Sequence, residues 1–212
     1  IGAIWFLLGI CRLLGLAIPG RAIAAVLLIT AAAGSVFGLW AAFHPVVHNV
    51  SIPVKHLPPA WKNRTIIQLS DVHLGHMHGG RFARRVVELV NDQNPDLVVV
   101  TGDLLDGMGG PYAQNLKPLD DIQASQGMFF VTGNHEHYVG LSRALRLIKN
   151  TPLQILDNEA VEIDGLEIVG VSYPGIKSIS EIKNFHNPKK RDRARIVLFH
   201  TPTEMGIGVE SI

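Results

Sequence analysis

Met128-Phe129-Phe130-Val131-Thr132-Gly133-Asn134-His135-Glu136 decides how the chain reads. The apolar run Met128 to Val131 has the length and composition of a buried strand. A glycine then turns the chain, and three polar side chains follow at once. Asn134 offers a neutral oxygen, His135 an imidazole that can carry a proton, and Glu136 a carboxylate able to orient a neighbour. Alone, the tetrapeptide is an ordinary polar turn. Its weight comes from three other runs that end alike.

Residues 65–70 run into Asp71-Val72-His73, residues 97–101 into Gly102-Asp103, and residues 196–199 into His200. Four strand-like runs thus place Asp, His or Asn at their C-terminal ends. In open α/β sheets that edge binds ligands. Asp, His and Asn form a mixed oxygen and nitrogen donor set suited to manganese, iron or zinc.

Strand and helix signals alternate between these runs. Phe82, Val86, Leu89 and Val90 share one face of a helix predicted over 81–92, which Asn94-Pro95 closes. A Gly-rich loop spans residues 107–111. A short helix is expected from Pro118, which suits a first helical position, and another over 141–149. After Pro152 the pattern shifts to short strands, expected to be antiparallel, at 154–156, 160–163 and 166–171. Asp164-Gly165 is a hairpin turn signal. A short helix over 178–185 and a basic loop over 189–195 precede the His200 strand. Alternating units followed by hairpins predict an α/β fold of two packed sheets with helices outside.

The N-terminal region differs. Residues 1–18 are apolar apart from Arg12, and residues 22–43 carry no charge. A membrane-spanning helix needs roughly 20 such residues; an arginine at mid-membrane costs about 2.5–3.5 kcal/mol, which the surrounding Leu and Ile offset. Both segments exceed a signal-peptide core of about 7–15 residues. Pro19-Gly20-Arg21 turns between them, so residues 1–43 are expected to form a transmembrane helical hairpin and residues 44–212 the globular domain. Arg21 lies in the turn, and no Lys or Arg follows Phe43 until Lys55. That bias predicts the turn in the cytoplasm and the domain outside; the membrane expected is a bacterial plasma membrane. Val50, Ile52 and Val54 alternate with polar or Pro residues as in an edge strand.

The 212 residues carry a net charge of +1, which gives no nucleic-acid footprint, so no specific nucleic-acid binding is expected. A single cysteine, Cys11, allows no disulfide framework within one chain. Neither Gly-x-Ser-x-Gly nor a Walker loop occurs, which leaves serine hydrolase and NTPase readings without support. The chain starts at Ile1 without Met and stops at Ile212 just past a strand, and is expected to be a fragment.

Asp71-x-His73, Gly102-Asp103, Gly133-Asn134-His135-Glu136 and His200, in that order, resemble the calcineurin-like metallophosphoesterases. Ser70-Asp71-Val72-His73-Leu74-Gly75, Gly102-Asp103-Leu104-Leu105-Asp106-Gly107 and the anchoring N-terminus resemble the membrane-anchored YkuE/YaeI-like branch. The resemblance implies a four-layer α/β/β/α sandwich, here incomplete, and two divalent metal ions. It implies that Asp71 and His73 hold the first metal, that Asp103 bridges both, and that Asn134 and His200 hold the second. A bridging group needs two oxygens to offer, which a carboxylate has. A hydroxide held between the metals would hydrolyse a phosphate ester. His135, beside a ligand but not one itself, would stabilise the phosphoryl charge or protonate the leaving oxygen. Glu136 and Asp106 would support the ligands from behind.

The family's closing Gly-His-x-His does not occur between His200 and Ile212. Each metal therefore lacks one expected ligand, and the chain as given is expected to turn over poorly. Gly75-His76-Met77-His78 looks like that motif but sits where the family has a variable loop. His76, His78 and His137 are candidates for the cleft; His44, His48, His56 and His186 receive no role. The expected substrate is a phosphodiester or a lipid-linked phosphate, because the anchor holds the site near a bilayer. The alternatives are a non-catalytic membrane-tethered binding module and a nucleoside-diphosphate-lipid pyrophosphatase.

Overall fold

The computed structural model describes residues 5, 6, 9, 10, 13, 15, 19–174 and 194–201. The chain divides into two compact units, Ile1–His48 and Asn49–Ile212.

In the first unit one helix, α1 (Gly20–Ala42), runs for 23 residues at a mean hydropathy of 2.2. Its length is about 35 Å at 1.5 Å per residue, enough for a hydrocarbon layer of about 30 Å. Little of it is covered by protein, unlike the core helix of a soluble domain. Both its hydroxyl side chains are satisfied within the helix: Thr30 donates to the Val26 carbonyl (2.9 Å) and Ser35 to the Ala31 carbonyl (2.9 Å). At its C-terminal end the His44 ring stacks on Trp40, centroids 4.4 Å apart, and its Nδ1 lies 2.6 Å from the Trp40 carbonyl. Most of the earlier segment, residues 1–18, lies outside the described residues.

The second unit contains two sheets. The first is wholly parallel, in the order β1 (Ile66–Leu69), β2 (Leu97–Thr101), β3 (Met128–Val131), β4 (Gln154–Ile155). The second is β5 (Glu159–Ile163), β6 (Leu166–Val171), β7 (Arg195–Phe199). There β5 and β6 form an antiparallel hairpin and β7 runs parallel to β6. Asp164 (φ 46°) and Gly165 (φ 85°) turn that hairpin with both central residues left-handed, as the Asp-Gly pair predicts.

Strand periodicity separates the two cores. Val98, Val100, Met128 and Phe130 face the helices, packing with Val86, Val87 and Val90 of α2 (Gly80–Asn91) and with Ala144 and Ile148 of α5 (Leu141–Ile148). Leu97, Val99, Phe129 and Val131 face the other way, onto Leu166, Ile168 and Leu198 of the second sheet. Trp61 seals this inner layer, and its indole N–H donates to the Ile163 carbonyl at 2.9 Å. The described residues thus form three layers, helix on sheet on sheet. The predicted helix over 178–185 lies outside them, as does most of the 189–195 loop. Arg195 itself begins β7, where its Nε sits 2.5 Å from the Glu167 carboxylate.

Several expectations change. Gln154–Ile155 pairs parallel with β3, not in an antiparallel arrangement; two residues carry too little pattern to name a partner. Residues 50–54 form no strand among the described residues, and Val50 and Ile52 are exposed. Their alternation has no paired edge to settle against. Residues 112–121 fold as a short helix, α3 (Tyr112–Leu116), running into a 3-10 turn (Lys117–Asp121) that places Pro118 at its start. A further helix, α4 (Asn134–Val139), follows β3 directly.

Candidate metal centre

Parallel pairing puts the C-terminal ends of β1, β2 and β3 at one edge. Asp71 and His73 follow β1, Asp103 follows β2, and Asn134 and His135 open α4 after β3. His200 arrives from the second sheet. Its Nδ1 lies 2.8 Å from the Thr101 carbonyl, which can only accept, so that nitrogen carries the proton. The loops are laced together by the Asp71 N–H to the Gly102 carbonyl (3.3 Å), the His73 N–H to the Asp103 carbonyl (3.0 Å) and the Leu74 N–H to the Leu104 carbonyl (2.8 Å).

Asp71 (φ 54°), His73 (φ 50°) and Asp103 (φ 52°) all occupy the left-handed backbone region. Such conformations cost about 1–3 kcal/mol each in non-glycine residues and gather at functional sites. Two glycines make room for the crossing. At Gly102 (φ 87°) a Cβ would lie 2.7 Å from His200 Nδ1 and 2.8 Å from the Gly133 backbone.

The donor atoms converge on Asp103. Its Oδ2 lies 3.3 Å from His200 Nε2, 3.8 Å from His135 Nε2 and 3.9 Å from His73 Nε2. Its Oδ1 accepts the His135 backbone N–H at 2.9 Å. One oxygen, not two, therefore faces the imidazoles. Asp71 Oδ1 stands 3.8 Å from His73 Nε2, and Asn134 Oδ1 stands 3.1 Å from His200 Nε2. Two groups have donor atoms mutually within 4.8 Å: His73, Asp103 and His135, and Asp71, Asp103 and His200. Asp103 belongs to both. Asp103 is buried while Asp71 is exposed, so the cluster opens to solvent on the Asp71 side.

The residues fit divalent cations by the chemistry of their donors. With Nδ1–H committed to Thr101, His200 turns its Nε2 toward Asn134 Oδ1 at 3.1 Å and Asp103 Oδ2 at 3.3 Å, a nitrogen and two oxygens of the kind a divalent cation takes. His73 Nδ1 is buried with no hydrogen-bond partner, while its Nε2 faces Asp71 and Asp103. Geometry also offers His135 Nε2 as a donor. Its Nδ1 donates to the Asp106 carbonyl, so Nε2 faces the cluster.

Glu136 is fully buried beneath the site. Its carboxylate accepts the backbone N–H groups of Asp103 (3.0 Å), Leu105 (3.0 Å) and Gly133 (2.8 Å), tying the loop after β2 to the turn after β3. Burial pushes its pKa up, and those three N–H groups oppose the rise. Asp106 contributes its carbonyl to His135, while its side chain packs on Gly75. The three cleft candidates stand outside both donor groups. His78 stacks on Phe82 with Nδ1 3.1 Å from the Val72 carbonyl, His76 lies against Gly109, and His137 Nε2 lies 3.1 Å from the Tyr173 carbonyl.

Sequence reasoning missed Thr101, whose backbone carbonyl sets the His200 tautomer, and Tyr138, whose ring meets His135 edge to face at 5.1 Å. A carbonyl leaves no trace in a sequence. A lone Tyr in a polar stretch gives no signal either.

Among known proteins, residues 64–211 match the family model for calcineurin-like phosphoesterase. The chain is 34% identical over 165 residues to a transmembrane protein with metallophosphoesterase domain from Danio rerio, covering 70% of this chain and 38% of that protein. It is 39% identical over 131 residues to the Bos taurus protein of the same name, covering 61% and 30%. An uncharacterized metallophosphoesterase of Campylobacter jejuni is 32% identical over 143 residues, covering 65% and 37%. The chain thus spans well under half the length of these relatives. With most of its length matched and the strand-end donors gathered at one edge, the chain belongs to the calcineurin-like phosphoesterases.

Proposed function

We propose that this chain is part of a membrane-anchored, binuclear phosphoesterase that hydrolyses phosphodiesters or lipid-linked phosphates. One observation carries the reading: His200 Nε2 stands 3.1 Å from Asn134 Oδ1 and 3.3 Å from the buried Asp103 Oδ2, so donors from three separate strand ends converge at one point. A scaffold that only bound a partner would have no use for that arrangement.

Asp71, His73 and Asp103 would hold one cation, and Asp103, Asn134 and His200 the other, with Asp103 Oδ2 shared. When bound, two divalent cations lower the pKa of a water between them and neutralise phosphate charge. Asp103 is kept in place from two sides, by the His135 N–H on Oδ1 and by Glu136 on its own backbone N–H. His135 is aimed by the Asp106 carbonyl, which takes Nδ1–H; as the imidazolium the ring would give its Nε2 proton to the departing ester oxygen and become neutral. The exposed flank at Asp71 admits the substrate.

Residues 1–43 would anchor the protein and residues 44–212 carry the chemistry, outside the cytoplasm of a bacterium. Arg21 in the first turn of α1 and the absence of Lys and Arg from 22 to 54 support that orientation. The test is hydrolysis of bis(p-nitrophenyl) phosphate, p-nitrophenyl phosphate and a nucleoside-diphosphate lipid by the full-length protein with Mn²⁺. Preference for the diester, and its loss in Asp103→Asn, are expected. Equal turnover by Asp103→Asn would remove Asp103 from the mechanism.

A further inference from the structure

The edge that holds the cluster is also where the second unit leaves apolar side chains uncovered. Beyond the linker residues up to Val54, the large apolar side chains exposed among the described residues are Met77 (68%), Met108 (85%), Tyr138 (67%) and Leu141. Met77 follows β1, Met108 follows β2, and Tyr138 and Leu141 follow β3, so all lie past the C-terminal ends of the parallel strands. The opposite edge exposes none among the described residues. The backbones that carry them adjoin. A Cβ at Gly107 would lie 3.0 Å from Tyr138 Cβ, one at Gly109 3.5 Å from His76 Nε2, and one at Gly110 2.8 Å from the Gly75 backbone. These loops therefore form one continuous rim, whatever rotamers their tips adopt. Apolar side chains gathered on one rim mark an interaction surface, where single scattered ones do not.

The same rim carries arginines. α2 and α5 both begin there, and neither has an acidic residue in its first turn. Each has an arginine instead, Arg81 and Arg143, at the end where the helix dipole disfavours a cation. Arg81 is four residues from Met77, and the His78 ring between them stacks on Phe82 at 4.1 Å. Arg143 lies over the Tyr112 ring, whose hydroxyl holds the Gly109 N–H at 2.8 Å. Exposed Arg84 adds a charge to the same face of α2. Among the described residues neither Arg81 nor Arg84 pairs with a carboxylate, whereas Arg85 lies 3.3 Å from Glu88. Of the carboxylates at this edge, Asp71 and Asp103 would face the cations, Glu136 is buried, and Asp106 packs on Gly75. Resting on the membrane-anchored reading, we propose that this rim docks on a bilayer surface carrying anionic phospholipids. Met77 and Met108 enter the headgroup layer, and Arg81 and Arg84 meet its phosphates. Both terms favour such a surface: the apolar tips gain burial, and the arginines gain the negative charge that the helix start lacks. Docked in this way, the exposed Asp71 flank opens toward the bilayer, and the esters it meets are those borne by lipids.

The experiment reconstitutes the full-length protein, freed of other cysteines, in vesicles of phosphatidylcholine or of an equal mixture with phosphatidylglycerol. A nitrobenzoxadiazole label is attached in Met77→Cys, in Met108→Cys or in Gln123→Cys, the last exposed at the opposite edge. Quenching by doxyl-labelled lipid is then measured. The first two labels should be quenched in the mixed vesicles and little in phosphatidylcholine, and the third in neither. Arg81→Gln combined with Arg84→Gln should cut the docked-to-undocked ratio by about thirtyfold. Hydrolysis of soluble bis(p-nitrophenyl) phosphate should not change in that double variant. Labels at 77 and 108 quenched no more than the one at 123 overturn the docking and leave the rim to a protein partner, with the phosphoesterase reading intact. Quenching equal in both lipids, or unchanged in the double variant, overturns the anionic surface. The expected quenching in a protein that hydrolyses no ester sinks the phosphoesterase reading and leaves the docking standing.

Discussion

A methyl group on Gly133 would stand 2.1 Å from Oδ1 of Asp103. The turn after β3 and the loop after β2 are thus in contact at the carboxylate on which the cluster converges. Gly133 has an ordinary extended backbone (φ −106°), so space alone demands glycine there. In Gly133→Ala the carboxylate has to move. Misplacement of a reacting group by about 1 Å costs on the order of 10²-fold in rate. Turnover should fall at least that far, with Mn²⁺ content reduced and circular dichroism retained.

Glu136 holds three buried backbone N–H groups at once. Glu136→Ala strands all three, at about 1–3 kcal/mol each, and should lower unfolding stability by roughly 3 kcal/mol or more. Glu136→Gln turns one acceptor into a donor and should cost less than Ala. Denaturant midpoints of both variants check the order.

Metal binding to the native donors should stabilise the fold by mass action. Saturation at about 100 times Kd gives about 2.7 kcal/mol per site. The Tm should rise with Mn²⁺ and return with chelator, and the rise should shrink sharply in Asp103→Asn and in His200→Ala. An undiminished rise in both variants would place the bound metal elsewhere.

Asp96 joins the start of β1 to the start of β2. Its carboxylate accepts the Thr65 N–H at 2.9 Å and pairs with Arg64. The Thr65 N–H and then Arg64 hold its pKa below the usual 3.8, against burial. Because the folded value lies below the unfolded one, the stabilisation is fully present above about pH 4. It is lost as pH falls from there through the folded value. Asp96→Asn should lower stability at pH 7 and flatten this acid limb, as urea titrations from pH 7 to pH 3 will show.

Much of this was legible from residue order. Leu97 to Val100 and Met128 to Val131 are apolar without interruption because both faces are buried, and a polar donor, Asp103 or Asn134, follows each within three residues. Asp164-Gly165 announced its hairpin by turn chemistry. The helix Asn134–Val139 escaped because NHEHYV has no apolar stripe; its single buried residue is the charged Glu136. Gln154–Ile155 escaped because its pairing depends on a strand distant in sequence. In the site, side-chain donors were readable, whereas the Thr101 and Asp106 carbonyls that aim His200 and His135 belong to the backbone.

The left-handed turns at Asp71, His73 and Asp103 set backbone comfort against side-chain chemistry. Glycine accepts that geometry freely, so glycine at any of the three would relieve the chain while removing a metal-binding atom from the cluster.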